Sequence, residues 1–306
     1  MLAPLSPDYD RAKGAFLLRR KRRLGIALGG GGARGFAHLG VLIAREEANV
    51  KIDAIAGTSM GAVIGAARAI GADLEKLRTL LDLIDLNQLL QVTDSTLREL
   101  QRILGRSMME YVRGSVWQEE GATPHDLARL NELFSLLTAN KTFADAAIPF
   151  AAVSADVRTG ERVVLRTGKL SQALTASAAV PGVFSPVLSN GRYLVDGGIV
   201  EKIPIEAVIE LGADAVIAVD TGAPLDREVA TCLDALLQAQ RVTSHHLSRL
   251  QLERAAERLD GRLLVIRPEV SSIKMFDFGR SEEAIRAGLA AAAANIERIR
   301  SLAKRG

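Results

Sequence analysis

The chain has 306 residues, of which 48% are apolar, 25% charged and 4% aromatic, and its formal net charge is +3. That length admits one large α/β domain or two small ones, and the ordinary balance of apolar and charged residues points to a globular chain. No stretch approaches the roughly 20 unbroken apolar residues of a spanning helix, no secretory apolar region follows the N-terminal charges, and the single Cys232 excludes an intrachain disulfide framework. A cytoplasmic location is therefore expected, with peripheral contact at the inner membrane face as its variant.

Residues 1–18 show no strong period and carry prolines at positions 4 and 7. They continue into Arg19, Arg20, Lys21, Arg22 and Arg23, so residues 1–23 read as a basic N-terminal arm. Such a block is either a solvated tail or a patch for anionic lipid headgroups, where each basic residue contributes on the order of 1 kcal/mol. Nucleic acid is not expected, because no aromatic residue interrupts the block to stack on bases.

From residue 24 onward, short apolar runs of strand length lie at 24–28, 52–56, 150–155, 162–165, 193–195, 215–219 and 263–266. Most are continuous rather than alternating, as in strands buried on both faces of a parallel sheet. Helical patterns fall between them, at 34–47, 60–70, 73–83, 124–138, 170–179, 204–211, 227–258 and 281–303. The alternation predicts an α/β fold, a three-layer α/β/α sandwich around a mainly parallel sheet, over residues 24–306. Residues 84–145 break the rhythm, with leucines but no strand, and read as a helical insertion. It either fills space at the sheet edge or walls an active site for long acyl chains.

Two glycine-framed turns carry the chemistry. Gly57-Thr58-Ser59-Met60-Gly61 follows a strand and opens a helix, matching the G-x-S-x-G elbow that holds a serine hydroxyl at the mouth of a sheet. Small residues at Gly57 and Gly61 let the elbow pass its neighbours, and the helix N-terminus favours developing negative charge at Ser59. Upstream, Gly30, Gly32 and Gly35 fit the spacing of a dinucleotide phosphate cradle. The following strand, however, ends on Ser59 rather than on an acidic ribose ligand. An oxyanion loop is the better reading, with Gly31 and Gly32 amides as donors and Arg34 supporting the loop or a phosphate headgroup.

A serine nucleophile needs a base. His38, His125, His245 and His246 all fall on or at the start of helical segments, none on a loop after a strand. Asp196 does follow a strand, and Gly197 and Gly198 behind it permit a sharp turn and a close approach to its carboxylate; a plain turn aspartate remains the alternative. Asp220, at the end of another strand, reads as a turn cap. The apolar run 181–184 either lines an acyl pocket or packs in the core.

Together these blocks resemble the patatin-like phospholipases, and among them the bacterial members of the neuropathy-target-esterase type. The resemblance runs in order from about Leu24 to Asp220. Gly30 to Gly35 is similar to the family's oxyanion motif, Gly57 to Gly61 to its elbow, Ala176-Ser177-Ala178-Ala179-Val180-Pro181 to its third block, and Asp196-Gly197-Gly198 to its aspartate block. The resemblance implies a Ser59–Asp196 catalytic dyad without histidine, acting on acyl esters of phospholipids, lysophospholipids or simpler alcohols. No cofactor and no metal, calcium included, are expected. Three rivals stand beside it: a Ser-Asp-His triad using His245 or His246, a lipid- or partner-binding protein on the same architecture, and a nucleotide-binding enzyme. The sequence is silent on oligomeric state.

Overall fold

The computed structural model describes residues 22–83, 125–181, 183–222, 225 and 232–304. Arg19, Arg20 and Lys21 of the basic block, and 84–124 of the predicted insertion, lie outside the described residues. Arg22 and Arg23 are tied into the fold: Arg22 donates to the Lys304 carbonyl at 3.4 Å and the Arg23 guanidinium to the Asp53 carbonyl at 3.3 Å.

The chain starts with β1 (Leu24–Leu28), a one-turn 3₁₀ helix (Gly32–Phe36) and α1 (Ala37–Glu47). Next come β2 (Ala54–Thr58), α2 (Met60–Ala69) and α3 (Leu74–Leu83), and then α4 (His125–Leu137). The middle holds β3 (Phe150–Asp156), β4 (Arg162–Leu165), α5 (Leu170–Ser177), β5 (Val187–Ser189) and β6 (Arg192–Asp196). The remainder is α6 (Ile205–Glu210), β7 (Ala215–Val219), α7 (Cys232–Leu259), β8 (Leu263–Ile266), α8 (Ser281–Ala293) and α9 (Ile296–Ala303).

All strands join one 8-stranded sheet in the order β5-β6-β3-β2-β1-β7-β8, with β4 also paired to β3. The centre, β3-β2-β1-β7-β8, is parallel, whereas β4, β5 and β6 run antiparallel. Successive residues of a strand face opposite sides, and two cores result. Leu24, Ile26, Leu28, Ile55 and Ile217 belong to one. Ala27, Ala54, Ala56, Ala151 and Ala218 belong to the other, with α6 and the end of α7. The expected three layers are present.

Several expected boundaries move. The strand expected at 52–56 is β2, two residues later, because Asp53 is occupied at the sheet's lower edge: its amide donates to the Leu24 carbonyl at 2.8 Å and its carboxylate accepts from the Leu24 amide at 3.0 Å. The pairing therefore continues through Gly57 and Thr58. β5 was not expected. It forms a hairpin with β6 through Asn190 and Gly191, both at positive φ, and that Asn-Gly pair is the sequence signal for such a turn. The single helix expected over 281–303 is two, since the Asn295 side chain turns back to the Ala291 carbonyl at 2.9 Å and competes with continuation of the helix. The end of α7 lies along the sheet, through Ala255 and Leu259, while its middle turns Gln240, Arg241, Ser244 and His245 toward a cleft on the edge where the parallel strands end.

Candidate active site

The sheet register brings Ser59 and Asp196 together. Thr58 pairs with Val153 on β3, and Asp196, arriving on the antiparallel β6, pairs with the next residue, Ser154. The residue after Thr58 and the last residue of β6 thus end side by side, although 137 positions separate them in the chain.

Ser59 caps α2 in a left-handed backbone conformation, φ 55° and ψ −126°. Non-glycine residues adopt positive φ at a cost and hold it only where the surroundings over-determine it. Here the constraints are visible. The Ser59 amide donates to the Ser177 hydroxyl at 2.9 Å, which donates in turn to the Val153 carbonyl at 2.6 Å. The Thr58 hydroxyl donates to the Glu201 carbonyl at 2.9 Å. A Cβ on Gly57 would sit 2.3 Å from Ala62 Cα, and Gly61 lies so close to β1 that a Cβ there would sit 2.1 Å from the Leu28 carbonyl oxygen. Ser177 lies in the third sequence block, yet nothing in that block's sequence assigned it this support of the elbow amide.

Asp196 is buried. Its own amide donates to the Ala179 carbonyl at 2.9 Å, its carboxylate accepts from the Gly198 amide at 2.7 Å, and the Ser59 side chain lies close enough to favour its charged form. Gly197 and Gly198 form the 3₁₀ turn behind it. Burial pushes its pKa up to about 6, against the lowering pull of the Ser59 and Gly198 donors and of Lys202.

The glycine loop runs alongside. Gly29 and Gly30 amides donate to the Val219 and Lys202 carbonyls at 3.0 and 2.9 Å, and the Ala33 amide to Met275 at 2.8 Å. Among the described residues the Gly31 and Gly32 amides between them have no protein acceptor. Gly32 sits at φ 57°, and Gly35 passes the elbow so closely that a Cβ would lie 2.6 Å from Met60 Cβ. Arg34 donates to the Thr221 and Ile273 carbonyls, bracing the loop.

The histidines fall elsewhere. His38 is fully buried and its Nε2 donates to the Gly29 carbonyl at 2.6 Å; burial lowers its pKa to about 4, so it pins the loop as a neutral ring. His245 is exposed at the cleft edge, His246 is exposed beside it, and His125 begins α4. Neither His245 nor His246 is among the groups that act on the Asp196 carboxyl, which are Ser59, Gly198 and Lys202. Asp220 acts as a turn cap, accepting from the Gly222 amide at 2.9 Å. No group of His, Cys, Asp or Glu side chains able to hold a metal ion occurs among the described residues. Nor is any described helix long and apolar enough to cross a membrane.

Ser59, Asp196, Gly31 and Gly32 open onto a cleft with a cavity volume of about 190 Å³. Its walls are largely apolar, with Val63 from α2, Leu81 from α3, Leu130 and Phe134 from α4, and Phe184 from the run at 181–184. Leu130 and Phe134 also pack in the core, so α4 both fills space and lines the cleft.

The family model for patatin-like phospholipases matches residues 26–209, the span that contains the glycine loop, elbow, third block and aspartate turn. The chain belongs to the patatin-like phospholipase family. An uncharacterized NTE family protein of Mycobacterium bovis is 32% identical over 227 residues, covering 72% of this chain and 57% of its own length. Lysophospholipase NTE1 of Mycosarcoma maydis is 29% identical over 229 residues, 72% of this chain but 11% of that protein. The patatin-like chain therefore spans little more than half of the first relative and a small part of the second. Among solved structures, VipD of Legionella pneumophila is similar with a TM-score of 0.43 at 16% identity, over 91% of this chain and 67% of that one.

Proposed function

We propose that this patatin-like chain is a serine hydrolase of lipid acyl esters, phospholipid or lysophospholipid, working through Ser59 and Asp196. The observation that carries the reading is the placement of Ser59 beside the buried Asp196 carboxylate, next to two glycine amides with no protein acceptor among the described residues and at the head of an apolar cleft. The lysophospholipase name of a relative agrees with it.

The steps follow from the chemistry of the groups. The acyl chain lies along the apolar walls, leaving its ester carbonyl over Ser59. Ser59 Oγ forms a bond to the carbonyl carbon as Asp196 takes its proton. The carbonyl oxygen becomes an oxyanion that accepts from the Gly31 and Gly32 amides, helped by the N-terminus of α2. Collapse breaks the ester C–O bond, and the departing alcohol carries away the proton from Asp196. Water then gives its proton to Asp196, attacks the acyl-serine, and a second collapse returns the proton to Ser59 and frees the fatty acid.

An ordinary aspartate is a weak base for a hydroxyl; burial strengthens it. Because the acting form is ionised and the pKa is about 6, kcat/KM is expected to be level above pH 7 and to fall about tenfold per unit below pH 6. A pH series with a p-nitrophenyl acyl ester checks this; a midpoint near 4 would mean that burial does not set the base.

The decisive experiment is covalent capture. A fluorophosphonate should add one phosphonyl group to Ser59, read by peptide mass, and the same preparation should release fatty acid from mixed phospholipids and lysophospholipids while Ser59→Ala releases none. An unlabelled, inactive but folded protein would instead support a lipid-binding role.

A further inference from the structure

The polar end of the cleft carries an excess of positive charge. Lys202, beside Asp196, and Arg34 line it, and Arg241 enters from α7. Lys202 follows the aspartate turn by four residues, and its carbonyl accepts the Gly30 amide at 2.9 Å, so its backbone is fixed to the glycine loop. Its ammonium is held mostly away from solvent, and it feels Asp220 and Asp196 as neighbouring charges without a hydrogen bond to either. Asp220 is shared: one oxygen accepts from the Gly222 amide at 2.9 Å and the other faces Arg267 at 3.4 Å. Arg34, braced by two carbonyls, repels the ammonium.

A partly desolvated cation beside a second cation, with no carboxylate among the described residues bonded to it, is a costly arrangement. An anionic oxygen entering with the substrate offsets that cost through a charge-assisted hydrogen bond. The apolar walls take the acyl chain and Ser59 takes the ester carbonyl, so the part of the ligand that reaches Lys202 belongs to the alcohol side of the ester or lies just beyond it.

We propose that the Lys202 ammonium is a specificity-determining contact that receives the phosphate of a lipid headgroup while Ser59 engages the acyl ester. The proposal rests on the ester-hydrolase reading above and adds a selection to it: glycerolipids with a phosphate a few bonds from the scissile ester are preferred to neutral acyl esters of the same chain.

Lysophosphatidic acid and monoacylglycerol with one acyl chain differ only in that phosphate, so their kcat/KM ratio isolates the contact. In matched detergent micelles, Lys202→Met is expected to lower the ratio about tenfold, chiefly through KM for the phosphorylated substrate, as loss of one hydrogen bond between charged groups implies. Lys202→Arg should restore most of it. An unchanged ratio, or an equal fall for both substrates, overturns the proposal; the latter would make Lys202 a support for Asp196. Competitive inhibition of monoacylglycerol hydrolysis by inorganic phosphate below the substrate KM would assign the subsite to the free ion and overturn the headgroup assignment. If the wild type hydrolyses neither lipid, the hydrolase reading fails by itself. Calorimetric binding of lysophosphatidic acid to Ser59→Ala, with and without Lys202→Met, then makes the same comparison without turnover: about tenfold weaker binding supports the contact, equal binding removes it.

Discussion

Asp196→Asn is expected to lower kcat by about 10³-fold and, at pH 8, to make the protein more stable. The two effects have one cause. The carboxyl's pKa rises from 3.8 to about 6 on folding because burial penalises its charge. Below about pH 4 the group is neutral in folded and unfolded chains alike, and the penalty is absent. As the pH climbs through 6, the folded state must hold a buried negative charge that the unfolded state places in water, and stability falls to a plateau about 2 to 3 kcal/mol lower. Asparagine keeps the shape, can accept from the Gly198 amide and never ionises. The variant should therefore gain on the wild type at pH 8 and lose that advantage near pH 4. Thermal melts at both pH values, beside turnover with a p-nitrophenyl ester, check the pair. Turnover close to wild type would remove Asp196 from the reaction. Inactivity with a lowered melting point at pH 8 would show a damaged fold instead of a missing base. The pattern expected for a functional residue is the opposite one, in which the group that limits stability is the group that does the chemistry.

What the sequence disclosed about this site was whatever depends on neighbours in the chain. Gly57-Thr58-Ser59-Met60-Gly61 declares a strand, a tight turn and a helix within a few residues, and Asp196-Gly197-Gly198 declares a turn after a strand. The uninterrupted apolar runs at Leu24–Leu28 and Ala215–Val219 announced central strands because both of their faces are covered. Ser177 and Lys202 were different. Ser177 holds the Ser59 amide across 118 positions of chain, and no local pattern distinguishes its hydroxyl from that of any serine near the end of a helix. Lys202 resembles an ordinary surface lysine until the glycine loop and the turn at Asp220 and Gly222 come up beside it. β5 was overlooked for a third reason: its three side chains are only half buried, so it lacks an apolar signature, and the Asn190-Gly191 turn alone marks it. The antiparallel return of β6 was likewise hidden, yet it determines where Asp196 meets Ser59.

Gly32→Ala should reduce kcat by about 10² to 10³-fold with little change in KM, the loss typical of a misplaced oxyanion donor. Two independent constraints reserve the position for glycine. Its φ of 57° is left-handed, which costs an L-residue with a side chain about 1 to 2 kcal/mol, and a Cβ would lie 2.2 Å from the Met275 carbonyl oxygen. That carbonyl already accepts the Ala33 amide at 2.8 Å, so it cannot yield without pulling the loop with it. The alanine must therefore rotate or displace the Gly31–Gly32 peptide planes, whose amides are the donors with no protein partner among the described residues. Gly71 supplies the control: its φ is 80°, but nothing lies within 4 Å of a Cβ built there. Gly71→Ala carries the backbone cost without crowding, so it should lose stability and keep its turnover. Burst kinetics with a p-nitrophenyl ester separate the outcomes, because a displaced donor slows formation of the acyl-serine itself. A Gly32→Ala enzyme that is folded and acylates at the wild-type rate would mean that other donors hold the oxyanion, and the glycine loop would then be only the turn that carries β1 into the 3₁₀ helix.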